Sequence, residues 1–89
     1  MRHRIDILPD CWDDYVYTEL NDRAVMKRIH KLLEDIDRNG NKGLGKPELL
    51  KHGRYHGWWS RRITDEHRLV YRVDDEAIHI LHCRHHYDD

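Results

Sequence analysis

Ile5 and Ile7 lie two residues apart within the short segment 2–8, with polar neighbours on either side, and the alternation stops at Pro9-Asp10. This pattern predicts a strand with one buried face, followed by a helix cap. Trp12, Tyr15, Val16, Glu19 and Leu20 then share a helical face, and Asp13 and Asp14 suit the positive end of a helix dipole, so a first helix is expected up to Asn21 or Asp22. From about Arg23 a second helix carries Val25, Ile29, Leu32, Leu33 and Ile36 on one stripe, with Lys27, Arg28 and Lys31 to one side. Asn39-Gly40 is a common left-handed stop. So few residues separate the two helices that they should pack as an antiparallel pair.

The segment NGNKGLGKP, residues 39–47, holds three glycines and a proline and predicts a loop. Beyond it the period changes to two. Segments 58–64, 68–73 and 77–86 are rich in Trp, Ile, Val, Tyr and Leu and are separated by Thr64-Asp65-Glu66 and Asp74-Asp75-Glu76, which predicts an antiparallel meander of three strands. The expected fold is therefore α+β: β-α-α-β-β-β, with two N-terminal helices packed on one face of a small, mainly antiparallel sheet. Strand parity puts Leu69, Tyr71 and Val73 opposite Arg68, Val70 and Arg72, and Leu81 and Cys83 opposite Arg84 and His86. One face is then apolar and helix-covered, and the other is basic and open, carrying Arg62, Arg68, Arg72, Arg84 and His86. Ile78 and Ile80 break this division, since parity sends them to the open face, where they would form a second buried patch or a dimer contact.

A chain of 89 residues has room for one domain, residues 1–89. At this size only about 60–65% of the unfolded surface is buried, so a partner that adds burial is a natural expectation. No apolar run approaches the roughly 20 residues of a membrane span, and none resembles a secretory signal. Cys11 and Cys83 are far apart without paired spacing and are expected as free core thiols. The formal net charge of −1 is a cancellation: residues 1–41 carry −2, residues 42–72 carry +5 and residues 73–89 carry −4. A basic middle third is the footprint of a polyanion partner.

Glu48 is the one carboxylate before the Asp65-Glu66 turn in that basic stretch, flanked by Lys46 and Lys51. It fits either a salt bridge or a proton-transfer role. The C-terminal CRHHYDD reads as a solvated tail, as part of a metal site drawing on His79, His82, Cys83, His85 or His86 with His52 and His56, or as an acid opposite a base. Cleaving RNA without metal needs a base for the 2′-hydroxyl proton, cations for the phosphorane and an acid for the departing 5′-oxygen. Glu48, the arginines and His86 would supply that set, and Trp58, Trp59 or Tyr87 could stack on bases, although only one of the adjacent tryptophans can face outward.

CWDDYVY, GKPELLKH, WSRRITDEHRLVYRV and CRHHY occur in this order over residues 11–87. Together they resemble the YoeB family of toxins, within the RelE superfamily of toxin-antitoxin messenger-RNA endonucleases. The resemblance implies a toxin of a type II system: a ribosome-dependent, metal-independent endoribonuclease that cuts translated messenger RNA in the decoding site and so inhibits translation. It implies no cofactor, a YefM-like antitoxin, the ribosome with its messenger as partner, a homodimer and a bacterial cytoplasmic location. By motif position Glu48 becomes the general base, Arg68 the transition-state cation, His86 the general acid and Tyr87 a substrate-orienting group. Lys46, Lys51, His52, Arg61 and Arg62 become RNA contacts. The chain departs from the family pattern in the trailing Asp88 and Asp89, in His85 at a position often aromatic, and in a slightly longer 53–57 loop. The alternative class is a non-catalytic RNA- or protein-binding module of the same fold.

Overall fold

A computed structural model describes residues 1–85. The elements run β1 (Arg4–Ile7), α1 (Pro9–Asn21), α2 (Arg23–Asn39), β2 (Glu48–Leu49), a 3-10 turn (Gly53–Tyr55), β3 (Trp59–Arg62), β4 (Arg68–Val73) and β5 (Ala77–His82). One sheet of order β1-β5-β4-β3-β2 contains all five strands; β1 runs parallel to β5 and the other pairs are antiparallel. The expected α+β architecture is present, with one strand more than the pattern predicted. That strand, β2, is two residues long and carries no alternation, so it exists only because β3 offers an edge for Glu48 and Leu49 to pair with. Among the described residues no helix is long and apolar enough to cross a membrane.

The stripe on α2 is buried as predicted, Val25, Ile29, Leu32, Leu33 and Ile36 being joined by Met26. Its N-terminus is capped by Asp22, whose carboxylate accepts from the Val25 N–H, and Gly40 at φ 65° ends it. Helix α1 departs from expectation in two ways. It begins directly at Pro9 after an extended Leu8 with no side-chain cap, because proline has no N–H to satisfy in the first turn. Its buried side chains are Cys11 and Thr18, seven residues apart, while Trp12 and Leu20 of the expected face are 54% and 77% exposed. The helix is thus turned by one position, towards β5, where the Cys11 thiol donates to Cys83 at 3.3 Å. That bond and burial push Cys11 well above the usual thiol range, and both cysteines remain free.

The expectation for Ile78 and Ile80 is corrected: both are fully buried in the core beneath the helices, so neither forms an open-face patch or a dimer contact. The reason is a bulge. Tyr71 pairs with Ile80 but Val70 pairs with His82, so β5 spends one extra residue, Leu81, against β4. An extra residue reverses the alternation. Ile78, Ile80 and Cys83 can then all face inward, which no uninterrupted strand permits.

Arg61 is the second correction. It shares parity with Leu69 and Tyr71, faces the core, and is completely buried. Its five N–H groups all find acceptors: Nε donates to the Tyr71 hydroxyl (3.1 Å), Nη1 to Asp35 (2.6 Å) and the Leu44 carbonyl (2.9 Å), and Nη2 to the carbonyls of Gly40 (2.7 Å) and Lys42 (3.0 Å). Burial alone would raise Asp35, but hydrogen bonds from Arg61, the Leu44 N–H and Asn39 hold it below the usual carboxylate range. Loop 40–45 therefore wraps a guanidinium, and Arg61 has no donor left for RNA. Gly45, at φ 80°, touches this wrap so closely that a Cβ there would lie 3.0 Å from both the Arg62 carbonyl and Leu32.

Strand β1 is clamped by histidine–carboxylate hydrogen bonds at both ends. His3 bonds Asp37 of α2 at 2.7 Å, and the His3 ring and backbone N–H bring that carboxyl down to about 2. His79 of β5 bonds Asp74 at 2.8 Å and Asp6 of β1 at 2.9 Å; these carboxylates raise the ring above its ordinary 6.5. A ring raised in the fold stabilises fully below its unfolded value, and that contribution fades as pH climbs through the raised one.

Two outcomes follow from these contacts. Arg61→Ala should cost about 3–5 kcal/mol, because it strands Asp35 and three carbonyls without their cation, and an unchanged urea midpoint would dismiss the role given to it. His79→Gln should lower the midpoint more at pH 6 than at pH 9; an equal loss at both would show that the clamp is not ionic.

Candidate nucleic-acid interface

The register of the sheet builds the site. Glu48 pairs with Ser60 and Ser60 with Val70, so these three form one rank across β2, β3 and β4 on the face away from the helices. Arg62 and Arg68 form the next rank, directly opposite one another. On ideal sheet spacing the Glu48 α-carbon lies about 8 Å from that of Arg62 and about 12 Å from that of Arg68. Glu48 is exposed, and no ion pair reaches its carboxylate among the described residues, so the salt-bridge reading is not realised there. Its acceptor oxygens face solvent. Lys46, Lys51 and His52 are also exposed, on the chain leading into and out of β2.

Two guanidinium groups opposed across a strand pair repel, and sheets ordinarily avoid the arrangement. Arg62 and Arg68 are nevertheless half-buried in it, and the Arg62 Nε is buried with no hydrogen-bond partner among the described residues. Such a pair suits an anion that both cations can share.

Segment 50–58 folds over the same face. Leu50 and Trp58 pair through the backbone, Arg72 donates to the Gly57 carbonyl and lies 4.6 Å over the Trp58 ring, and Tyr55 stands edge-on to His82 at 5.3 Å. Asp10, Arg54, Tyr55, Trp58, Leu81 and His82 line a cavity of about 400 Å³ beside it. Burial lowers the His82 ring below its ordinary value. Arg54 and Tyr55 were not among the candidates from the sequence, where the signal available was the aromatic and basic content of an otherwise Gly-rich loop, and Arg72 was placed on the basic face by parity without a role. Of the two tryptophans, Trp59 packs on the core and Trp58 faces the basic side.

Arg84 leaves the open face to which parity assigned it. It donates to the Thr18 hydroxyl at 3.1 Å and lies 4.9 Å over the Tyr17 ring, both on α1. The described groups of the metal alternative are dispersed, His79 bonding two carboxylates and Cys83 a thiol, and no group of three or more His, Cys, Asp or Glu is arranged to hold a metal ion among the described residues. The described chain ends beside the arginine rank: the Arg68 N–H donates to the His85 carbonyl at 2.9 Å. His86 and Tyr87, assigned as acid and orienting group, lie outside the described residues.

With this geometry in place, the likenesses to known proteins fall into line. Residues 8–87 match the model of the YoeB-like toxins of bacterial type II toxin-antitoxin systems. Toxin YoeB of Escherichia coli K12 is 50% identical over 78 residues, which cover 88% of this chain and 92% of that protein. The YoeB dimer from Staphylococcus aureus superposes with a TM-score of 0.89 at 49% identity, covering 98% of this chain and all of that one. The YoeB subunit of a heterotetrameric YoeB-YefM complex from the same organism gives 0.87 at 48% identity over the same shares.

Relieving the opposed arginines has a measurable signature. Arg62→Gln should stabilise the free protein by about 0.2–1 kcal/mol at low salt and shrink the rise in melting temperature that sulfate produces. If sulfate raises both proteins equally, the arginine rank is not an anion site.

Proposed function

The chain belongs to the YoeB-like toxins of bacterial type II toxin-antitoxin systems, and from that premise we propose that it is a ribosome-dependent, metal-independent endoribonuclease acting on translated messenger RNA. The supporting observation is the rank structure of the outer face: a solvent-facing Glu48, without an ion pair among the described residues, set one rank from the opposed Arg62 and Arg68. Glu48 takes the proton of a ribose 2′-hydroxyl, and the freed oxygen attacks the adjacent phosphorus. Arg68, with Arg62 beside it, holds the extra negative charge of the phosphorane. His86 gives its proton to the departing 5′-oxygen, leaving a 2′,3′-cyclic phosphate and a 5′-hydroxyl, and Tyr87 orients the substrate. Lys46, Lys51 and His52 contact the flanking phosphates.

The attachment of the acid supports the same reading, since the peptide bond leading to His86 starts at the carbonyl held by Arg68. The ribosome enters because Glu48, Lys46, Lys51 and His52 stand exposed to solvent. In-line attack needs the 2′-oxygen, phosphorus and 5′-oxygen aligned, and a messenger fixed in the decoding site supplies the alignment that a small exposed site does not. The toxin would therefore act in the cytoplasm, where translation occurs. A YefM-like antitoxin and a second copy of the chain are the partners carried over from the Staphylococcus aureus structures.

Primer extension on a messenger taken from a translating extract tests the reading. The wild type should create new 5′ ends within the coding sequence, and Glu48→Gln, Arg68→Gln and His86→Gln should each reduce them by about 10²- to 10⁴-fold. Three variants that cut like the wild type would overturn the mechanism. RNA binding without any new ends would leave the binding-module reading in its place.

A further inference from the structure

The proposed acid is delivered by a segment that has left the sheet. Strand β5 ends at His82, and beyond it the described chain is anchored by Cys83 against Cys11 in the core, by Arg84 on α1 and by a bracket around the His85 backbone. In that bracket the His85 N–H donates to Nδ1 of His67 at 2.8 Å, and its carbonyl accepts from the N–H of the next residue, Arg68, at 2.9 Å. His85 sits at φ 69°, a left-handed conformation that a residue with a Cβ adopts only when its surroundings impose it. Both of its backbone polar groups are thus spoken for by two consecutive residues of β4 and its lead-in turn.

His67 is built to hold its end. Its own carbonyl accepts from the N–H groups of Ile63 (2.9 Å) and Thr64 (3.1 Å), and its N–H donates to the Thr64 hydroxyl at 3.1 Å, which staples the residue into the β3–β4 turn. Its side chain is only 11% exposed, and its ring meets that of His85 at 5.9 Å and 76°. An N–H that donates to Nδ1 requires a lone pair there, so the ring must carry its single proton on Nε2.

We propose that His67 is a positioning residue for the proposed cleavage: by accepting the His85 N–H on an unprotonated Nδ1, it fixes the point from which His86 departs, beside Arg68. The proposal rests on the endoribonuclease reading for its functional consequence, but the contact itself does not. It makes the bracket sensitive to pH, because a protonated ring would present an N–H to an N–H. The groups facing the ring are Arg84 and His85 from the C-terminal segment, Glu66 from the turn at 3.9 Å, and Asp22 from the junction of the helices. Burial first, then Arg84 and His85, hold the ring below its ordinary 6.5 against the opposing pull of Glu66 and Asp22. At neutral pH the bracket is therefore closed, and it opens as acid protonates His67.

Hydrogen exchange at the His85 amide of the full chain, followed by NMR with ¹⁵N-labelled histidine rings, tests the contact without any catalysis. The wild type should show the Nε2–H tautomer at His67 and a protected His85 amide at pH 7.5, with protection lost as the ring titrates. His67→Asn places an oxygen near the Nδ1 position and should keep the protection while losing its pH dependence; His67→Phe should lose it at every pH. In the messenger-cleavage assay His67→Phe should lower the maximal rate about 10- to 100-fold with little change in the concentration giving half-maximal rate, and His67→Asn should recover most of that loss. An Nδ1–H tautomer, or wild-type protection that does not follow the titration of His67, would overturn the proposal, and this arm stands even if His67→Phe does not fold. A wild type that never cleaves would sink the endoribonuclease reading alone. A wild type that cleaves, beside a folded His67→Phe with equal rate and equal protection, would sink the positioning role alone.

Discussion

A guanidinium denied all water must be neutralised and hydrogen-bonded at every N–H, or it unfolds what surrounds it. Arg61 places that demand where four parts of the chain meet. Asp35 comes from α2, the Tyr71 hydroxyl from β4, the carbonyls of Gly40, Lys42 and Leu44 from the glycine-rich loop, and Arg61 itself from β3. A loop of this composition would ordinarily be the most mobile part of a small domain. Here it is wrapped on a cation, and the wrap continues into the sheet, because the Gly45 carbonyl accepts from the Arg62 N–H at 2.7 Å. The next residues are Lys46, Pro47 and Glu48. The buried network thus sets where β2 begins, and so where Glu48 stands relative to the neighbouring arginine rank.

The other governing constraint is the bulge at Leu81. Strand β5 has to satisfy β1 on one side, β4 on the other and two helices on its inner face. Ile78 and Ile80 fill the core opposite α2, and Cys83 must also point inward to meet Cys11 of α1. Only an extra residue between them makes both possible. The same residue turns His82 outward towards Tyr55, and it sends the chain past Arg84 and His85 to the lead-in of β4. A packing requirement of the core therefore determines the exit path of the segment that carries His86.

These two constraints also explain what could be read from the residues and what could not. The α2 stripe was legible because five apolar positions at helical spacing admit one packing face. Arg62 and Arg68 were legible as outward partners because parity is reliable inside a regular strand pair. The same parity separates Arg61 from Arg62, and following it would have withdrawn Arg61 from the RNA contacts. The bulge was not legible: Leu81 looks like any strand residue, and the demand that displaces it comes from the meeting of Cys83 with Cys11, seventy-two positions apart. Strand β2 was hidden for a similar reason, since two residues have no periodicity and pair only because β3 is there. The face of α1 was missed by one position because its buried contacts are a thiol and a hydroxyl, while Trp12 and Leu20 stay in water. Hydrophobicity points the wrong way on such a helix.

What remains is a division of labour across a small domain. Its accessible surface of 5780 Å² compares with roughly 15,800 Å² for the extended chain. That burial is ordinary for the size and leaves little margin for strain. Yet the outer face accumulates unfavourable features: like charges opposed at Arg62 and Arg68, a left-handed Lys46 at φ 52°, and a left-handed His85. Each sits at the end of an element or in a turn, at the margin of the α2–β4–β5 core. Local opening there would cost far less than global unfolding. A polyanion docking on this face brings further negative charge to the Arg62–Arg68 rank while the core stays closed. Strain and opposed like charges gathered on one face, over a core that does not share them, are what a binding surface completed by its partner requires.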